Sequence, residues 1–582
     1  MNYMTKYKEW LLNDYFDQAI TNELKAIEDN QEEIEDRFYR ELNFGTGGMR
    51  GIIGAGTNRM NRYMIRKATQ GLANYIINYS DDGRARGVVI AHDSRHYSPE
   101  FALEAALVLN GNGIKAYLFD ELRPTPELSF AVRELDAISG IVITASHNPP
   151  EYNGYKVYCE DGGQVVPEQA REIIAEIQVI DDFELIKRME REEAERQGLL
   201  VMIGEQIDRR YIEEVLKVVP NKELARNKGE NFPVIYTPLH GTGNKPVGMV
   251  LKQLGFKQLE VVPEQAEPDP DFSTVKSPNP EDIAAFKMAL KMAEKSKPAL
   301  IIATDPDCDR MGLMVSNKQG QYINLTGNQI GVLLTNYLLE QLRAKNSLPV
   351  NGVIIKTIVS TEMVCNIAGS YGIEVLDVLT GFKFIGEKIK DFEEKGGKEF
   401  IFGFEESNGY LAGTYARDKD AVVAAALVAD MALYYQERED KTIYQKWQEL
   451  LERYGYYREI LESIQLTGKK GQEKIEKTMN RLREERPEEI CAQKVVVFKD
   501  YLTGRLIDYL NGQEREIDLP EANVLQFKLA DQSLLTIRPS GTEPKLKIYC
   551  AVRGNTAERA EEKIEGLRTA ILDEINQILE GC

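Results

Sequence analysis

The spacing of apolar residues changes character along the chain. Over residues 1–45, Trp10, Leu11, Leu12, Tyr15, Ile20, Leu24 and Ile27 recur at helical intervals among many charges, which predicts a helical N-terminal extension. From residue 46 short β-branched runs end in polar or glycine-rich loops, and helical stretches follow them. The clearest runs lie at 87–91, 138–144, 234–236, 299–303, 353–355 and 400–402. Runs that are apolar on both faces suit buried strands of a mostly parallel sheet with helices on each side. Helices are predicted at 99–109, 281–294, 329–342 and 420–435.

This material divides into three α/β blocks of similar element order, at 46–205, 206–318 and 319–440. A charged stretch at 441–486 reads as a helical connection. The runs at 494–498, 524–529, 534–537 and 546–550 alternate more, and a helix follows at 557–579. That pattern predicts a smaller C-terminal α+β domain with an antiparallel sheet, within residues 441–582. The expected fold class is α/β with four domains, three of related mixed-sheet topology sandwiched by helices, around a central cleft.

Composition narrows the partners. The chain has 72 Lys+Arg against 93 Asp+Glu, a formal net charge of −21. Such acidity argues against nucleic acid and anionic membrane surfaces. No window reaches the ~18 apolar residues of a membrane span. The six cysteines are scattered without a CxxC pair, and the N-terminus is polar, as expected of a cytoplasmic protein with reduced thiols.

In open α/β sheets ligands bind beyond the carboxyl ends of the strands, and four loops at such positions carry candidate chemistry. Thr144-Ala-Ser-His-Asn-Pro149 follows the run at 138–143 and presents Ser146 beside His147, with Lys156 ten residues on from Ser146. Its plainer alternative is a strand-end turn. Asp305-Pro-Asp-Cys-Asp-Arg310 sets three carboxylates at alternate positions, which a divalent cation would hold together; an all-oxygen set favours Mg²⁺. An EF-hand is excluded, because its sixth position is Arg310 and its twelfth Ser316. Gly403-Phe-Glu-Glu-Ser-Asn-Gly409 offers Glu405 and Ser407 as readers of vicinal sugar hydroxyls, with Lys383 upstream and Arg417 downstream. Arg538-Pro-Ser-Gly-Thr542 combines an arginine, the hydroxyls of Ser540 and Thr542, and Gly541 into an anion nest suited to phosphate. The glycine-rich stretch Phe44-Gly-Thr-Gly-Gly-Met-Arg-Gly51 lacks GxGxxG spacing, but its Arg50 could contact a phosphate.

In their order and wording, Gly140-Ile-Val-Ile-Thr-Ala-Ser-His-Asn-Pro149, Asp305-Pro-Asp-Cys-Asp-Arg310, Gly403-Phe-Glu-Glu-Ser407 and Arg538-Pro-Ser-Gly-Thr542 resemble the motifs of the α-D-phosphohexomutase family, over the chain from about residue 42 onward. The resemblance is greatest to longer bacterial members, which share the N-terminal helical extension. It implies four domains around a cleft and the interconversion of α-D-glucose 1-phosphate and glucose 6-phosphate through glucose 1,6-bisphosphate. It implies that Ser146 is phosphorylated and that Asp305, Asp307 and Asp309 bind Mg²⁺ with a phosphoserine oxygen. Arg310 would lie beside the transferring phosphoryl group, and Lys156 would handle the proton with His147 and Arg50 nearby. Glu405 and Ser407 would read the sugar, Lys383 and Arg417 would lie in its surroundings, and Arg538, Ser540, Gly541 and Thr542 would hold the distal phosphate.

Some mannose-specific relatives have a His where this chain reads Phe382-Lys383, and a His or Tyr where it reads Asn408-Gly409, which favours glucose. A mannose, pentose or glucosamine phosphate mutase is the alternative within the family. An aspartate-nucleophile phosphatase fails at Asp309, where DxDx[TV] needs Thr or Val. A non-catalytic sugar-phosphate binder would be expected to lose Ser146 or an aspartate, and keeps both. The expected partner is a small hexose phosphate, bound by a monomer or weak homo-oligomer.

Overall fold

A computed structural model describes residues 2–45, 47–317, 319–466, 468–490, 492–540 and 545–581. The chain forms two compact units: residues 1–353 with 382–444, and residues 354–381 with 445–582.

In the first unit the N-terminal residues form three short helices, Tyr3–Leu12, Gln18–Lys25 and Gln31–Phe38, capped by the side chains of Asn2, Asp17 and Asn30. Their aromatic faces close a core of Tyr7, Trp10, Phe16 and Phe38 around Tyr63. Next comes a six-stranded sheet in the order Gly48–Ile52, Tyr152–Cys159, Ser139–Ile143, Val88–His92, Ala116–Phe119, Leu200–Ile203. Val88–His92 is parallel to both its neighbours, while Tyr152–Cys159 runs antiparallel to both of its own. Every residue of Val88–His92 and Ser139–Ile143 is buried, which is why these runs carry no polar alternation.

A second, five-stranded sheet has Leu300–Thr304 parallel to Val234–Thr237 and antiparallel to Met311–Ser316. The predicted helix at 281–294 begins as a 3₁₀ turn, Ile283–Phe286, and continues as Lys287–Ser296. From the third α/β block the first unit holds the strands Glu399–Glu405 and Gly409–Ala412, which pair antiparallel. Its helix Ala421–Glu439 is buried along most of its length, so it shows no amphipathic stripe.

The second unit holds an antiparallel sheet covered by Ala557–Gly581. Here the expectation of helix throughout 441–486 is corrected. Ile443–Tyr454 and Gly468–Glu485 are helical, but Tyr456–Gln465 between them is a ten-residue strand paired with Lys545–Gly554. Its charged residues hide the alternation, while Ile460 and Ile464 pack on the C-terminal core.

Candidate functional site

The loop after Ser139–Ile143 presents Ser146 with φ +53°, a left-handed conformation that costs a non-glycine residue energy and needs surrounding structure to hold it. Arg95 provides that hold. Its guanidinium has no exposed surface and donates to the carbonyls of Ser146, Asn148, Pro149 and Tyr152, the last two at 2.8 and 3.0 Å. Asp93 pairs with the same arginine at 3.2 Å.

Ser146 Oγ donates to Asp305 Oδ2 at 2.6 Å and lies 3.2 Å from His147 Nδ1. Asp305, Asp307 and Asp309 are all buried, and one carboxylate oxygen from each lies within 4.8 Å of the others. The loop folds on itself, because Asp305 Oδ1 accepts from the backbone N–H groups of Asp309 and Arg310 at 3.1 and 3.0 Å. Behind it, a Cβ on Gly241 would lie 2.4 Å from Pro306 Cα, so only glycine fits there. Leu239 and His240, just before it, are both left-handed.

Two lysines from other elements offset part of the cluster's charge. Lys156 Nζ lies 2.8 Å from Asp307 Oδ2 and 3.4 Å from Asp309 Oδ2, and Lys419 Nζ lies 2.9 Å from Asp309 Oδ2. Thr125 Oγ1 donates to Asp307 Oδ2 at 3.0 Å. Burial alone would raise Asp307, but Lys156 holds its carboxyl well below the usual range. Burial, with Asp307 and Asp309 beside it, raises Asp305 instead. Asp307 Oδ1 and Asp309 Oδ1 are buried without a hydrogen-bond partner, the condition a hard cation would relieve. The triad is therefore a divalent-metal site by its donor chemistry.

Burial, with Arg310 and Arg50 adding, keeps His147 well below its usual pKa, so its imidazole is neutral. Lys156 stays above its usual value despite burial, because Asp307 and Asp309 face it. Arg310 bonds Glu281 at 2.7 Å, and Arg50 bonds Asn148 Oδ1 at 2.9 Å.

The Glu405 loop joins the metal loop through a bridge between Arg310 and Gly409 and a bond from Met311 N–H to the Asn408 carbonyl at 3.0 Å. Ser407 Oγ donates to Glu405 Oε1 at 3.1 Å. Glu405 is 6% exposed, and burial pushes its carboxyl up to about 7 against the pull of Lys419. Lys383 opens the helix Lys383–Lys395, and burial pushes its ammonium down to about 8.

Arg417 is not brought to the cluster: its side chain is fully buried, bonding Glu393 and the Thr414 and Ala416 carbonyls. Two residues on, Lys419 reaches Asp309. In the second unit, Arg538 donates to Tyr549 OH at 3.0 and 3.3 Å, and Ser540 N–H donates to the Lys545 carbonyl at 2.7 Å. Gly541 and Thr542 lie outside the described residues. Arg95 and Thr125 carry no signal in the sequence, whereas Lys419 is one of the two cations of Arg417-Asp-Lys-Asp420, and the structure brings it, not Arg417, to the aspartates.

A serine on a strained strand-end turn, facing a buried triad of aspartates flanked by two lysines, is an arrangement that can support phosphoryl transfer on an α/β scaffold. Models of phosphoglucomutase/phosphomannomutase α/β/α domains I, II and III match residues 41–183, 209–320 and 326–454. The phosphoglucomutase of Staphylococcus epidermidis is 36% identical over 558 residues, 95% of this chain and 98% of that protein. That of Staphylococcus aureus is 37% identical over 557 residues, 94% and 96% of the two chains. Among solved structures, the phosphoglucomutase parafusin of Paramecium superposes with a TM-score of 0.68 at 17% identity, covering 93% of this chain and 96% of that one. A phosphoglucomutase/phosphomannomutase family protein of Burkholderia thailandensis gives 0.63 at 18%, covering 90% and 97%. The chain belongs to the phosphoglucomutase/phosphomannomutase family, and is an enzyme of the isomerase class. No helix among the described residues is long and apolar enough to cross a membrane.

Proposed function

We propose that this enzyme interconverts α-D-glucose 1-phosphate and glucose 6-phosphate through phosphorylated Ser146 and glucose 1,6-bisphosphate, with Mg²⁺ held by Asp305, Asp307, Asp309 and a phosphoserine oxygen. The observation that carries the reading is the 2.6 Å contact between Ser146 Oγ and Asp305 Oδ2, inside a cluster flanked by Lys156 and Lys419. The relatives' phosphoglucomutase activity supplies the substrate.

In the forward step the bond from phosphorus to Ser146 Oγ breaks as the sugar's free hydroxyl oxygen bonds phosphorus. The hydroxyl proton goes to a base, and Ser146 Oγ takes a proton as it leaves; the reverse transfer removes that proton again to make Oγ the nucleophile. Lys156 or His147 would take and return the hydroxyl proton: His147 Nδ1 lies 3.2 Å from Oγ on the serine side, and Lys156 faces Asp307 and Asp309. Bound Mg²⁺ would neutralise charge on the transferring group. Arg310 adds a fixed positive charge there. Glu405 and Ser407 would read the sugar hydroxyls, with Lys383 alongside, and Arg50 would steady the serine loop through Asn148. Arg538, Ser540, Gly541 and Thr542 would take the phosphate that is not reacting. Arg417 acts by packing. The reading places the enzyme in the cytoplasm as a monomer or weak homo-oligomer, with no nucleic-acid or membrane partner.

The test is a kinetic comparison of glucose, mannose, ribose and glucosamine phosphates with Mg²⁺ and trace glucose 1,6-bisphosphate. Glucose phosphates are expected to give the highest kcat/KM; a higher value with mannose or ribose phosphate would reassign the substrate.

A further inference from the structure

The second unit contains a cavity of about 480 Å³ that the proposed reaction does not use. One wall comes from residues 354–381 and the other from the antiparallel sheet. The first wall presents Glu362 and Asp377. Lys356 lies behind them with no exposed surface, 2.8 Å from Glu362 Oε1 and 2.7 Å from Asp377 Oδ1. Those carboxylates share one buried counter-charge, yet keep 48% and 42% of their side chains exposed.

The second wall presents Lys499, Lys528 and Gln526. Lys499 opposes Gln526 across neighbouring antiparallel strands, and Lys528 lies two residues further along, so all three point from one face of the sheet. Among the described residues, neither lysine has a carboxylate within ion-pair distance, 4.0 Å. Burial holds the Lys499 ammonium below its usual pKa, and Lys356 and Lys528 add to the effect against Asp377 and Glu362. Arg553 reaches the cavity with its guanidinium 5.6 Å over the Tyr457 ring. With Lys356 included, five cations meet three carboxylates here, in a chain of net charge −21.

A local excess of two positive charges, with two lysines outside direct ion-pair distance of a carboxylate, suits a phosphate monoester dianion. The exposed oxygens of Glu362 and Asp377 are acceptors for hydroxyl groups on the same ligand. Lys528 lies opposite Leu534, at the start of the strand Leu534–Pro539, and Arg538 lies four residues further along, roughly 13 Å at 3.3 Å per residue, with Gln526 opposite Thr536 between them. We propose that this cavity is a second binding site, taking a small phosphorylated polyol with its phosphate between Lys499 and Lys528 and its hydroxyls on Glu362 and Asp377.

Hydrogen exchange on the full chain tests this, with glycerol 3-phosphate and inorganic phosphate as probes. Glycerol 3-phosphate is expected to slow exchange in peptides 493–500 and 525–529. The double substitution Lys499→Gln, Lys528→Gln should raise the concentration needed at least tenfold and leave kcat at saturating substrate unchanged. Lys528→Gln alone, at an exposed position, gives the same reading with a smaller shift if the double variant does not fold. Equal protection by inorganic phosphate at the same concentration would overturn the polyol site, since hydroxyl contacts to Glu362 and Asp377 would then add nothing. Protection confined to the loops at 146 and 305, or unchanged in both variants, would overturn the proposal.

Discussion

The hydroxyl of Ser146 and the carboxylate of Asp305 meet at 2.6 Å across 159 residues of chain. Nucleophile and metal loop thus come from two different sheets, each delivering its residue from the carboxyl end of a fully buried strand. Ser146→Ala should lower turnover at least about a thousandfold with little change in melting temperature. Intact mass after incubation with glucose 1,6-bisphosphate should show phosphate on the wild type alone; near-normal turnover in the variant would refute the phosphoserine role.

Arg95 anchors that serine through four backbone carbonyls. Arg95→Met strands these acceptors and leaves Asp93 buried without its cation, at a cost of about 3–5 kcal/mol. Calorimetry should show the loss of stability. Residual folded enzyme should lose kcat more than KM, because the loop positions the nucleophile and not the sugar.

Lys419 is a counter-charge for Asp309. Without divalent cations, Lys419→Met should melt several degrees below wild type. Millimolar Mg²⁺ should close most of that gap, since the ion replaces the missing charge. A gap unaffected by Mg²⁺ would show that the lysine acts by packing alone.

Glu405 has a carboxyl raised to about 7 by burial, above its ordinary 4.5. A raised acid favours the folded state below the lower value, and that contribution is lost as pH rises through the higher one. Glu405→Gln should therefore melt later than wild type at pH 8 and alike at pH 4. If the ionised form accepts the sugar's hydroxyls, KM for glucose 1-phosphate should fall between pH 6 and 8 in the wild type and stay flat in the variant.

Arg417 is fully buried against Glu393 and backbone carbonyls. Arg417→Met should lower melting temperature and leave KM within about threefold, as expected for a packing residue. A large KM effect with unchanged stability would return it to the sugar site.

The sequence reading succeeds where one physical signal dominates. The strands Val88–His92, Ser139–Ile143 and Leu300–Thr304 are buried on both faces, so their apolar runs are unbroken, and the loops after Ser139–Ile143 and Leu300–Thr304 carry the reactive side chains. It fails where the signal is shared with solvent or depends on the fold. Tyr456–Gln465 places Arg458 and Glu462 on the same face as Ile460 and Ile464, and Glu459 on the other, so no clean alternation marks it as a strand. Arg417 and Lys419 are two residues apart with like charge, and only tertiary packing decides that the second meets Asp309. Arg95 lies about fifty residues from the carbonyls it binds, beyond any local pattern.

The glycine behind the metal loop has a further consequence. With 2.4 Å between a would-be Gly241 Cβ and Pro306, and two left-handed residues just before it, the His240-Gly241 turn is a backstop that side chains cannot enter. Mutational drift is blocked on that side of the aspartates. Directed-evolution libraries aimed at new sugar phosphates should accumulate their tolerated changes around Lys383 and Glu406, and almost none between residues 239 and 243.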